Sequence, residues 1–417
     1  MAALSETLRE RGYAYQHTSE KLEEITDSKT KRTLYLGIDP TADSLHVGHL
    51  QAMLVLRRFL EDGHKVILLI GGGTGMIGDP SGKSEERNLL DAETLSHNVA
   101  AIKVQAEQLF NGMDFTILNN AHWLEKLDVI GFLRDIGKYF SVNAMLQRDS
   151  VKNRIENQDE GISYTEFSYM LLQAYDFLHL HKEYGCDLQI GASDQWGNIV
   201  SGVDLIRRKT GDVAYAFSSP LLINKSTGKK FGKSEGGAVW LDPAKTSPFK
   251  FYQFWLNSDD DSAQEFLLKM TMLDKGEIET IMIRHQANPA ERIAQRMLAA
   301  AVTTLVHGAD AAVEAEVASQ ALFGPGSLTE LDDDTIATLK EEAPTCSAEV
   351  GNDLLDLVVF SGLASSKREA RQFIEDGAIS LNGEKVSESR LLQESDFTRG
   401  IALLRRGKRN VAVLTLG

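Results

Sequence analysis

The chain has 417 residues, of which 42% are hydrophobic, and a formal net charge of −16. This length favours two or three domains, and the apolar content is sufficient for a sizeable core. The acidic total argues against a general nucleic-acid binder, but residues 351–417 hold 10 basic and 9 acidic side chains, whereas residues 1–350 hold 34 and 51. A near-neutral tail on an acidic body is compatible with a local RNA-contacting face.

The cysteines and the apolar runs indicate where the protein works. Cys186 and Cys346 are the two cysteines, and their wide separation argues against a disulfide framework and for a reducing compartment. The polar N-terminal sequence MAALSETLRERGYAYQ lacks the apolar region of a signal peptide. No apolar run approaches the roughly 20 residues of a membrane-spanning helix. The sequence therefore predicts a soluble, cytoplasmic protein.

The first half of the chain alternates strand-like and helix-like segments. The strand candidates are TLYLGI, KVILLIG, FTILNN and DLQIGA, at residues 33–38, 65–71, 115–120 and 187–192. A helix is predicted from about His46 to Asp62. Strands separated by helices imply an α/β fold with a Rossmann-like, doubly wound parallel sheet, whose ligands bind at the carboxyl ends of the strands.

The second half of the chain has a helical part, a linker-like stretch and a short part with both helices and strands. Its first part is almost entirely helical in pattern, and GPGSLTELDDD at residues 324–334 has the Gly, Pro and acid content of a linker. From Leu354 onward two short helices precede strands, with LNGEKV as a hairpin signal. The predicted organisation is a Rossmann-like domain at 1–246, an α-helical domain at 247–323, a linker at 324–350 and a small α+β domain at 351–417.

Residues 64–87, HKVILLIGGGTGMIGDPSGKSEER, contain the second predicted strand and then a glycine-rich loop that fits neither of two common nucleotide-binding motifs. A P-loop ending in its GKS triplet would need a glycine where Ile77 stands. The G-x-G-x-x-G sequence is followed by Asp79-Pro80 and not by a helix opening, and the region about 20 residues further on is helical and not a strand. Glycine still lets the backbone approach a ligand closely. The loop also carries Asp79, Lys83 and Arg87.

The sequence HVGH at residues 46–49 opens the first helix after the turn DPTADS. His46 and His49 are three residues apart, so they share a face of the first helical turn. The free N–H groups and positive dipole of a helix start suit a phosphate, and Gly48 leaves room for a flat ring against the backbone. The alternative is a pair of exposed histidines at a helix start.

A second basic segment, KKFGKSEGG at residues 229–237, carries three lysines within five residues, among them Lys230 and Lys233. A lysine ammonium is a compact point charge that suits phosphate oxygens, and the flanking glycines indicate mobility. The alternative is a solvated basic loop.

A polar stripe runs along the otherwise apolar segment FSYMLLQAYDFLHL at residues 167–180. Tyr169, Gln173 and Asp176 are spaced by four and three residues, so they share one face of a buried helix. Because an unpaired buried carboxylate is costly, the stripe needs a polar partner. Either a bound polar ligand or a structural hydrogen-bond network would supply one.

The sequence GASDQWGN at residues 191–198 ends a strand and opens a helix. This places Asp194 and Gln195 at the carboxyl edge of the sheet. An aspartate at that edge suits the diol of a ribose.

Taken together, HVGH and the later KFGKS resemble the HIGH and KMSKS signatures of class I aminoacyl-tRNA synthetases. The finer resemblance is to bacterial tyrosyl-tRNA synthetases and covers essentially the whole chain. It is carried by YLGIDPTADSLHVGHL, GDPSGKSEER, TEFSYMLLQAYD, QIGASDQWGN, KFGKS and the tail. The departures from the commonest signature wording are Val47 for isoleucine and Phe231-Gly232 for Met-Ser, the second of which is typical of the tyrosine branch.

The resemblance implies a role for each group of residues. Tyr35 and Asp176 would hydrogen-bond the phenol hydroxyl, and Gln195 would contact the aminoacyl carbonyl. The substrate ammonium would be held by Asp79, Tyr169 and Gln173. The carboxylate and the departing pyrophosphate would meet Lys83, Arg87, Lys230 and Lys233. The terminal phosphate would meet Thr41 and His46, and the rest of the ATP site would be formed by Gly37, Asp39, Gly48, His49, Asp194 and Lys233.

The implied reaction needs no protein nucleophile, because the tyrosine carboxylate is already ionised and attacks the α-phosphorus of ATP. Fixed or closing cations would stabilise the charge that builds on the leaving pyrophosphate. The tyrosyl group would then pass to the terminal adenosine of tyrosine tRNA. Mg²⁺ is expected as the counter-ion of ATP, without a dedicated protein metal site. The family also implies a homodimer and places the helical domain on the anticodon side of the tRNA.

The tail segment SGLASSKREARQFIEDGAISLNGEKV resembles the small RNA-binding module of a ribosomal small-subunit protein that also occurs in bacterial tyrosyl synthetases. Ser365 or Ser366 is predicted to cap a helix. The cations expected to face RNA are Lys367, Arg368, Arg371 and the four of RRGKR at 405–409. The alternative is a solvated basic face.

Three other functions remain to be weighed against this one. A tryptophanyl-type class I synthetase is disfavoured by Tyr35 and Asp176, because an indole has no hydroxyl to pair. A catalytically dead RNA-binding paralogue is disfavoured by the complete HVGH and KFGKS segments. A dinucleotide oxidoreductase is disfavoured by the motif spacing given above.

Overall fold

The computed structural model describes residues 3–80, 91–148, 151–152, 155, 161–223, 231, 233–234, 237–324 and 328–417. The chain divides into two compact units. The first unit is Met1–Lys245 with Asp259–Ala294, and the second unit is Thr246–Ser258 with Gln295–Gly417. Among the described helices, none is long and apolar enough to cross a membrane.

The described α-helices are numbered along the chain. They are α1 Leu4–Glu10, α2 Glu23–Thr26, α3 Val47–Glu61, α4 Ala92–Leu109, α5 Ala121–Leu124, α6 Val129–Asp135, α7 Val142–Leu146, α8 Tyr164–Tyr184, α9 Trp196–Thr210, α10 Pro248–Leu256, α11 Asp260–Met270, α12 Lys275–Ala287, α13 Ile293–His307, α14 Ala309–Phe323, α15 Asp333–Glu342, α16 Leu354–Phe360 and α17 Lys367–Glu375. The helix predicted at 46–62 is α3.

The first unit is built on a six-stranded sheet in the order β1-β6-β5-β2-β3-β4. Its strands are β1 Gln16–His17, β2 Thr33–Ile38, β3 Lys65–Ile70, β4 Thr116–Asn119, β5 Cys186–Ala192 and β6 Tyr215–Ser219. Strands β2 to β6 run parallel, and β1 is antiparallel to β6. The predicted doubly wound parallel sheet is confirmed, and the four predicted strands are β2, β3, β4 and β5.

The strand order reverses between β2 and β5, because β2 continues to β3 and β4 on one side while β5 continues to β6 on the other. Ligands of open α/β sheets bind in the crevice outside such a point, at the carboxyl ends of the strands. Apolar residues of α3 and α8 are buried at this sheet, among them Leu50, Leu54 and Phe177. The sheet therefore carries the predicted site residues on the termini of its central strands.

Helix α8 begins and ends where its sequence provides caps. The Ser163 side chain accepts a hydrogen bond from the Glu166 N–H, and the Glu166 carboxylate reaches back to the Ser163 N–H. At the other end Gly185 adopts a left-handed backbone, with φ of 63°. These caps fix the register of the polar stripe on the helix.

The second unit carries a five-stranded sheet in the order β11-β10-β12-β13-β9. Its strands are β9 Thr345–Ala348, β10 Ile379–Leu381, β11 Glu384–Lys385, β12 Ile401–Arg406 and β13 Asn410–Leu416. The pairs are antiparallel except β13 with β9. The predicted hairpin is β10–β11, whose turn residues Asn382 and Gly383 both have positive φ.

The stretch predicted as a linker, 324–350, contains α15 and β9. Asp332 of the acidic run caps α15, because its side chain accepts a hydrogen bond from the Thr335 N–H at 2.8 Å. Helix α15 also contributes Ile336 and Leu339 to a core cluster that includes Leu403 of β12. The acidic run is therefore the start of a helix. The compact units also differ from the predicted domain boundaries, because Thr246–Ser258 and Gln295–Gly417 form one unit.

Candidate active site

A cavity of about 440 Å³ opens at the carboxyl ends of β2 and β5, where the strand order reverses. The predicted residues on its wall are Tyr35, Gly37, Asp39, Thr41, His46, Gly48, His49, Asp79, Tyr169, Gln173, Asp176, Asp194 and Gln195. These residues come from segments up to 160 positions apart in the sequence. The structure therefore brings all of these predicted residues to one place.

The remaining predicted site residues are the cations of two loops. Lys83, Arg87 and Lys230 lie outside the described residues. Lys233 opens the short strand β7 Lys233–Ser234, which pairs with β8 Gly237–Ala238. Among the described residues that line the cavity, none is lysine or arginine.

The start of α3 differs from the prediction of free N–H groups for a phosphate. The Gly48 N–H donates to His46 Nδ1 at 3.0 Å, and the Val47 N–H donates to the Val239 carbonyl at 2.9 Å. The His46 N–H in turn donates to His49 Nδ1 at 3.2 Å. The two histidines thus cap their own helix, and they leave imidazole edges in place of backbone N–H groups at the cavity wall.

This capping determines which ring nitrogens carry protons. Because Nδ1 of both His46 and His49 accepts a hydrogen bond, the proton of each neutral ring is placed on Nε2. Desolvation, and then the neighbouring His46, lowers the pKa of His49 to about 3. His49 is therefore a neutral hydrogen-bond donor near pH 7. The two rings stack with 3.9 Å between their centroids.

Position 48 requires glycine because the His46 imidazole lies against its backbone. A Cβ atom at this position would lie 2.8 Å from Cε1 and 2.9 Å from Nδ1 of His46. The flat ring that lies against the Gly48 backbone in this structure is therefore the imidazole of His46. A larger residue at position 48 would displace that ring from its cap.

The polar stripe of α8 faces the cavity, and two of its residues, Tyr169 and Asp176, also hydrogen-bond other side chains of the protein. Asp176 is 2% exposed, and its carboxylate accepts hydrogen bonds from Asn120 Nδ2 at 2.8 Å and Trp123 Nε1 at 2.7 Å. Burial raises the pKa of Asp176 to about 7, although both hydrogen bonds lower it. The two hydrogen bonds therefore do not fully stabilise the carboxylate form against burial, and one more donor would favour it.

Tyr35 lies at the same end of the cavity. Its ring packs 5.3 Å from that of Phe177, and its side chain is 1% exposed. Burial raises the pKa of Tyr35 well above its usual value, and the nearby Asp176 adds to this effect. Within the described part of the chain, its hydroxyl has no hydrogen-bond partner. A buried hydroxyl without a partner is costly, so a polar ligand atom would satisfy it.

The other end of the stripe meets two further carboxylates. The Tyr169 hydroxyl donates to Asp39 Oδ2 at 3.0 Å, and Gln195 Nε2 donates to Asp79 Oδ2 at 2.6 Å. Both Asp39 and Asp79 raise the pKa of Tyr169 after the larger effect of burial. Negative charge is therefore concentrated at this wall, which suits a cationic group of a ligand.

Sequence reasoning missed Asn120 and Trp123, which donate hydrogen bonds to Asp176. It also missed Thr74, which links Asn120 at the buried end of the cavity to Asp39 at the other end. Asn120 Nδ2 donates to Thr74 Oγ1 at 3.0 Å, and Thr74 Oγ1 donates to Asp39 Oδ1 at 2.9 Å. The available signal was the Asn119-Asn120 pair directly after a predicted strand, at the ligand-binding edge of the sheet. Trp123 and Thr74 carried no comparable signal.

In the second unit, the two segments predicted to contact RNA lie side by side, but Arg405 of RRGKR bonds the protein backbone instead. The Ser366 side chain caps α17, as predicted. Arg406 lies 4.8 Å from the ring centroid of Phe373 on α17, which brings the RRGKR hairpin beside that helix. Arg405 instead donates to the carbonyls of Ala321 and Gly324 at the end of α14. Arg405 is therefore structural, and its pKa is lowered by burial.

Lys367 pairs with Asp356 at 2.5 Å, which leaves it exposed but partly neutralised. The other exposed cations of α17 and of the β12–β13 hairpin are Arg368, Arg371, Lys408 and Arg409. In the described residues no group of three or more His, Cys, Asp or Glu side chains is arranged to hold a metal ion.

Comparison with known proteins places this site in a family. A family model described as "tRNA synthetases class I (W and Y)" matches residues 27–324, and one described as "Tyrosine--tRNA ligase SYY-like C-terminal domain" matches residues 335–414. The tyrosine–tRNA ligase 1 of Vibrio parahaemolyticus is 47% identical over 415 residues, which cover 99% of this chain and 98% of that protein. The tyrosine–tRNA ligase of Roseiflexus castenholzii is 47% identical over 428 residues and all of both chains.

Solved structures agree with this placement. A C-terminally truncated mitochondrial tyrosyl-tRNA synthetase of Aspergillus nidulans has a TM-score of 0.68 and 32% identity, over 78% of this chain and 95% of that chain. A tryptophanyl-tRNA synthetase of Encephalitozoon cuniculi, 14% identical with a TM-score of 0.56 over 81% of this chain and 92% of that chain, shares the fold alone. The chain therefore belongs to the class I tRNA synthetases of tryptophan and tyrosine, and within them to the tyrosine–tRNA ligase family.

The raised pKa of Asp176 predicts a pH-dependent stability. Its pKa is about 7 in the folded protein, against 3.8 as the ordinary value, so the folded state binds more protons between these pH values. The contribution of this group to stability therefore falls as pH rises from about 4 to 7, by up to about 4 kcal/mol. We expect Asp176→Asn to become more stable relative to the wild type between pH 5 and pH 8, measured as the urea midpoint.

The control is Asp114→Asn, which removes an exposed carboxylate of the same unit. The difference in urea midpoint between Asp114→Asn and the wild type should change little between pH 5 and pH 8. A difference between Asp176→Asn and the wild type that is equal at pH 5 and pH 8 would contradict the assigned pKa.

Proposed function

We propose that this chain is a tyrosine–tRNA ligase that activates tyrosine with ATP and transfers the tyrosyl group to the terminal adenosine of tyrosine tRNA. The observation that carries this proposal is the buried end of the cavity. There the Tyr35 hydroxyl has no partner in the described residues, and the Asp176 carboxylate is under-stabilised. A phenol hydroxyl complements both, because it donates to Asp176 and accepts from Tyr35.

The same cavity offers groups for the rest of tyrosine. Asp79, Tyr169 and Gln173 would hold the ammonium group, which is attracted by the carboxylates at that wall. Gln195, which hydrogen-bonds Asp79, would contact the aminoacyl carbonyl. Tyrosine would thus be held at both ends, with its hydroxyl at Asp176 and its amino group about Asp79.

ATP would occupy the part of the cavity formed by the helix start and the strand ends. His46 and Thr41 would meet the terminal phosphate, and His49 and Asp194 would contact the nucleoside beside Gly37, Asp39 and Gly48. Support comes from the Nδ1 atoms of both histidines, which accept backbone N–H groups and so leave the Nε2 atoms to donate to ligand oxygens. Burial keeps the pKa of His49 at about 3, so this ring donates without a positive charge. A donor that is neutral near pH 7 does not require protonation before ATP binds.

The first reaction step forms a bond between a tyrosine carboxylate oxygen and the α-phosphorus, while the bond from that phosphorus to the bridging oxygen of pyrophosphate breaks. The negative charge that develops on pyrophosphate would be met by Lys83, Arg87, Lys230 and Lys233. Mg²⁺ would arrive with ATP and neutralise phosphate charge. In the second step a ribose hydroxyl of the tRNA attacks the activated carbonyl and releases AMP.

A tryptophanyl-type activity fits the buried end less well. The indole N–H can donate to Asp176, but it has no lone pair to accept the Tyr35 O–H. Tyr35 would then keep an unpaired buried hydroxyl, at a cost of about 1–3 kcal/mol. The geometry of this pocket end therefore favours a phenol.

The second unit would bind tRNA through the face formed by α17 and the β12–β13 hairpin. Support comes from the exposed cations Arg368, Arg371, Lys408 and Arg409, which belong to the near-neutral stretch 351–417 of an otherwise acidic chain. The N-terminal part, 1–246, would be catalytic, and the helices of 247–323 would lie on the anticodon side. The reducing compartment indicated by two free cysteines supports a cytoplasmic location.

A homodimer is the expected assembly. Five apolar side chains are 40–71% exposed on α6 and α7, within an 18-residue stretch of the first unit: Val129, Ile130, Leu133, Val142 and Leu146. An exposed apolar patch of this kind is typical of a protein–protein interface.

We expect wild-type ATP–pyrophosphate exchange to depend on tyrosine among the twenty amino acids. Tyr35→Phe should narrow the preference for tyrosine over phenylalanine by about 0.5–1.5 kcal/mol, the value of one neutral hydrogen bond. Activity should persist because Asp176 remains as an acceptor. The measurement is the ratio of kcat/KM values for the two amino acids.

Tyr13→Phe is the matched control, because Tyr13 is also fully buried but its hydroxyl donates to the Lys269 carbonyl outside the cavity. It should leave the ratio unchanged. Tryptophan-dependent exchange, or exchange that needs no amino acid, would refute the proposed function. An unchanged ratio in Tyr35→Phe would remove Tyr35 from substrate recognition.

The Arg368→Glu/Arg371→Glu double variant should raise the KM for tRNA and leave tyrosine-dependent exchange unchanged. Each lost phosphate contact should lower the slope of log affinity against log salt by about 0.7–0.9. The control Lys65→Glu/Lys103→Glu makes the same charge change on exposed residues of the first unit. Equal tRNA affinities for the two double variants would place the tRNA contact elsewhere.

Ile130→Asp should dissociate the dimer, because it places a charge within the apolar patch of α6 and α7. Light scattering after size-exclusion chromatography measures the mass of the wild type and the variant. The control is Val104→Asp, an equally polar change at a 63% exposed valine on α4. A wild type that is monomeric at micromolar concentration would contradict the assembly.

A further inference from the structure

The two signature segments are joined by consecutive backbone pairings. In the first, Lys233 of β7 lies opposite Ala238 of β8. In the second, the residues after β8 pair with those that open HVGH, where His46 and Trp240 face each other in an antiparallel bridge. The Val47 N–H donates to the Val239 carbonyl and the Leu241 N–H donates to the Leu45 carbonyl, both at 2.9 Å. Backbone pairing thus leads from Lys233 to His46.

The position of the His46 ring depends on its neighbours. The His49 ring stacks on it at 3.9 Å between centroids, and the Trp240 indole lies 5.9 Å from it at an angle of 59°. The third contact is the hydrogen bond that its Nδ1 accepts from the Gly48 N–H. The indole contact comes from outside the HVGH segment, whereas His49 and Gly48 belong to it.

Trp240 is in turn held by an ion pair. The Lys245 ammonium lies 5.6 Å from the centroid of the indole ring, and it pairs with Asp43 Oδ1 at 2.7 Å. This pairing lowers the pKa of Asp43 below its usual value. Asp43 lies three residues before His46, so the ion pair closes a loop of contacts from Asp43 through Lys245 and Trp240 to His46.

We infer that Trp240 is a positioning residue for the activation of the amino acid. Supported by the Lys245–Asp43 pair, its indole holds the His46 imidazole at the cavity wall and ties that ring to the segment that carries Lys233. The inference rests on the proposed function, in which both His46 and Lys233 meet the phosphates of ATP. Positioning matters here because a displacement of about 1 Å can lower a rate by roughly 100-fold.

The test separates ATP from tyrosine. Trp240→Leu removes the aromatic face but leaves the backbone pairing, and Trp240→Phe retains an aromatic ring. We expect Trp240→Leu to lower the rate constant of tyrosyl-adenylate formation about tenfold and to raise the KM for ATP. The dissociation constant of tyrosine should stay within twofold of the wild type. Trp240→Phe should restore the rate to within about threefold.

Lys245→Met provides a second variant that does not alter the indole itself. It should lower the same rate constant severalfold, because the ring loses its support. The matched control is Lys31→Met, which breaks the Lys31–Asp62 surface pair of the same unit. This control should leave the rate constant and both substrate constants unchanged.

Three results would overturn the inference. The first is a rate constant and ATP KM within twofold of the wild type in both Trp240→Leu and Lys245→Met. The second is tyrosine affinity that falls as much as ATP affinity, which would indicate general disruption. If Trp240→Leu does not fold, Lys245→Met decides alone. The third is a wild type without tyrosine-dependent exchange, which refutes the proposed function as well; an active wild type with unchanged variants refutes this inference only.

Discussion

The buried carboxylate of Asp176 is the constraint on which the candidate site depends. It lies among the buried residues of α8, and its two oxygens accept hydrogen bonds from Asn120 and Trp123. Those two bonds do not offset its loss of water, as its pKa of about 7 indicates. A group retained at this cost in an apolar core is typical of a functional site.

The carboxylate also organises the residues around it into one network. Trp123 and Asn120 donate to Asp176, Asn120 also donates to Thr74, and both Thr74 and Tyr169 donate to Asp39. The two ends of the cavity are therefore not independent, since Asn120 bonds both Asp176 and Thr74. Such a network holds acceptors in place before a ligand arrives, so little reorganisation is needed on binding.

Much of the fold and of the site could be predicted from the sequence, because the strands and the stripe of α8 carry strong local patterns. A strand end located Asp194 and Gln195, and helical spacing placed Tyr169, Gln173 and Asp176 on one face. Tyr35, which lies inside β2, was indicated by the family resemblance alone. Prediction fails where one sequence pattern suits two different structures. The acidic run that contains Asp332 suits both a loop and a helix cap, and only the packing of α15 distinguishes the two.

The histidines and Arg405 show a different limit. Sequence spacing placed His46 and His49 on one face, but it could not show that their rings accept the N–H groups that were expected to be free. Likewise, the RRGKR cations look equivalent in sequence, whereas Arg405 is used to bond the carbonyls at the end of α14. Polar side chains have several possible partners, and tertiary contacts decide among them.

We propose that the buried end of the cavity, at Tyr35 and Asp176, recognises a phenol hydroxyl. The most direct test is the equilibrium binding of tyrosine and of phenylalanine to the wild-type protein at pH 7.5, without ATP or tRNA. Phenylalanine would leave the Tyr35 hydroxyl and Asp176 without their ligand partner, at a cost of about 3 kcal/mol or more. We expect tyrosine to bind at least about 100-fold more tightly than phenylalanine. Dissociation constants within threefold of each other would contradict it.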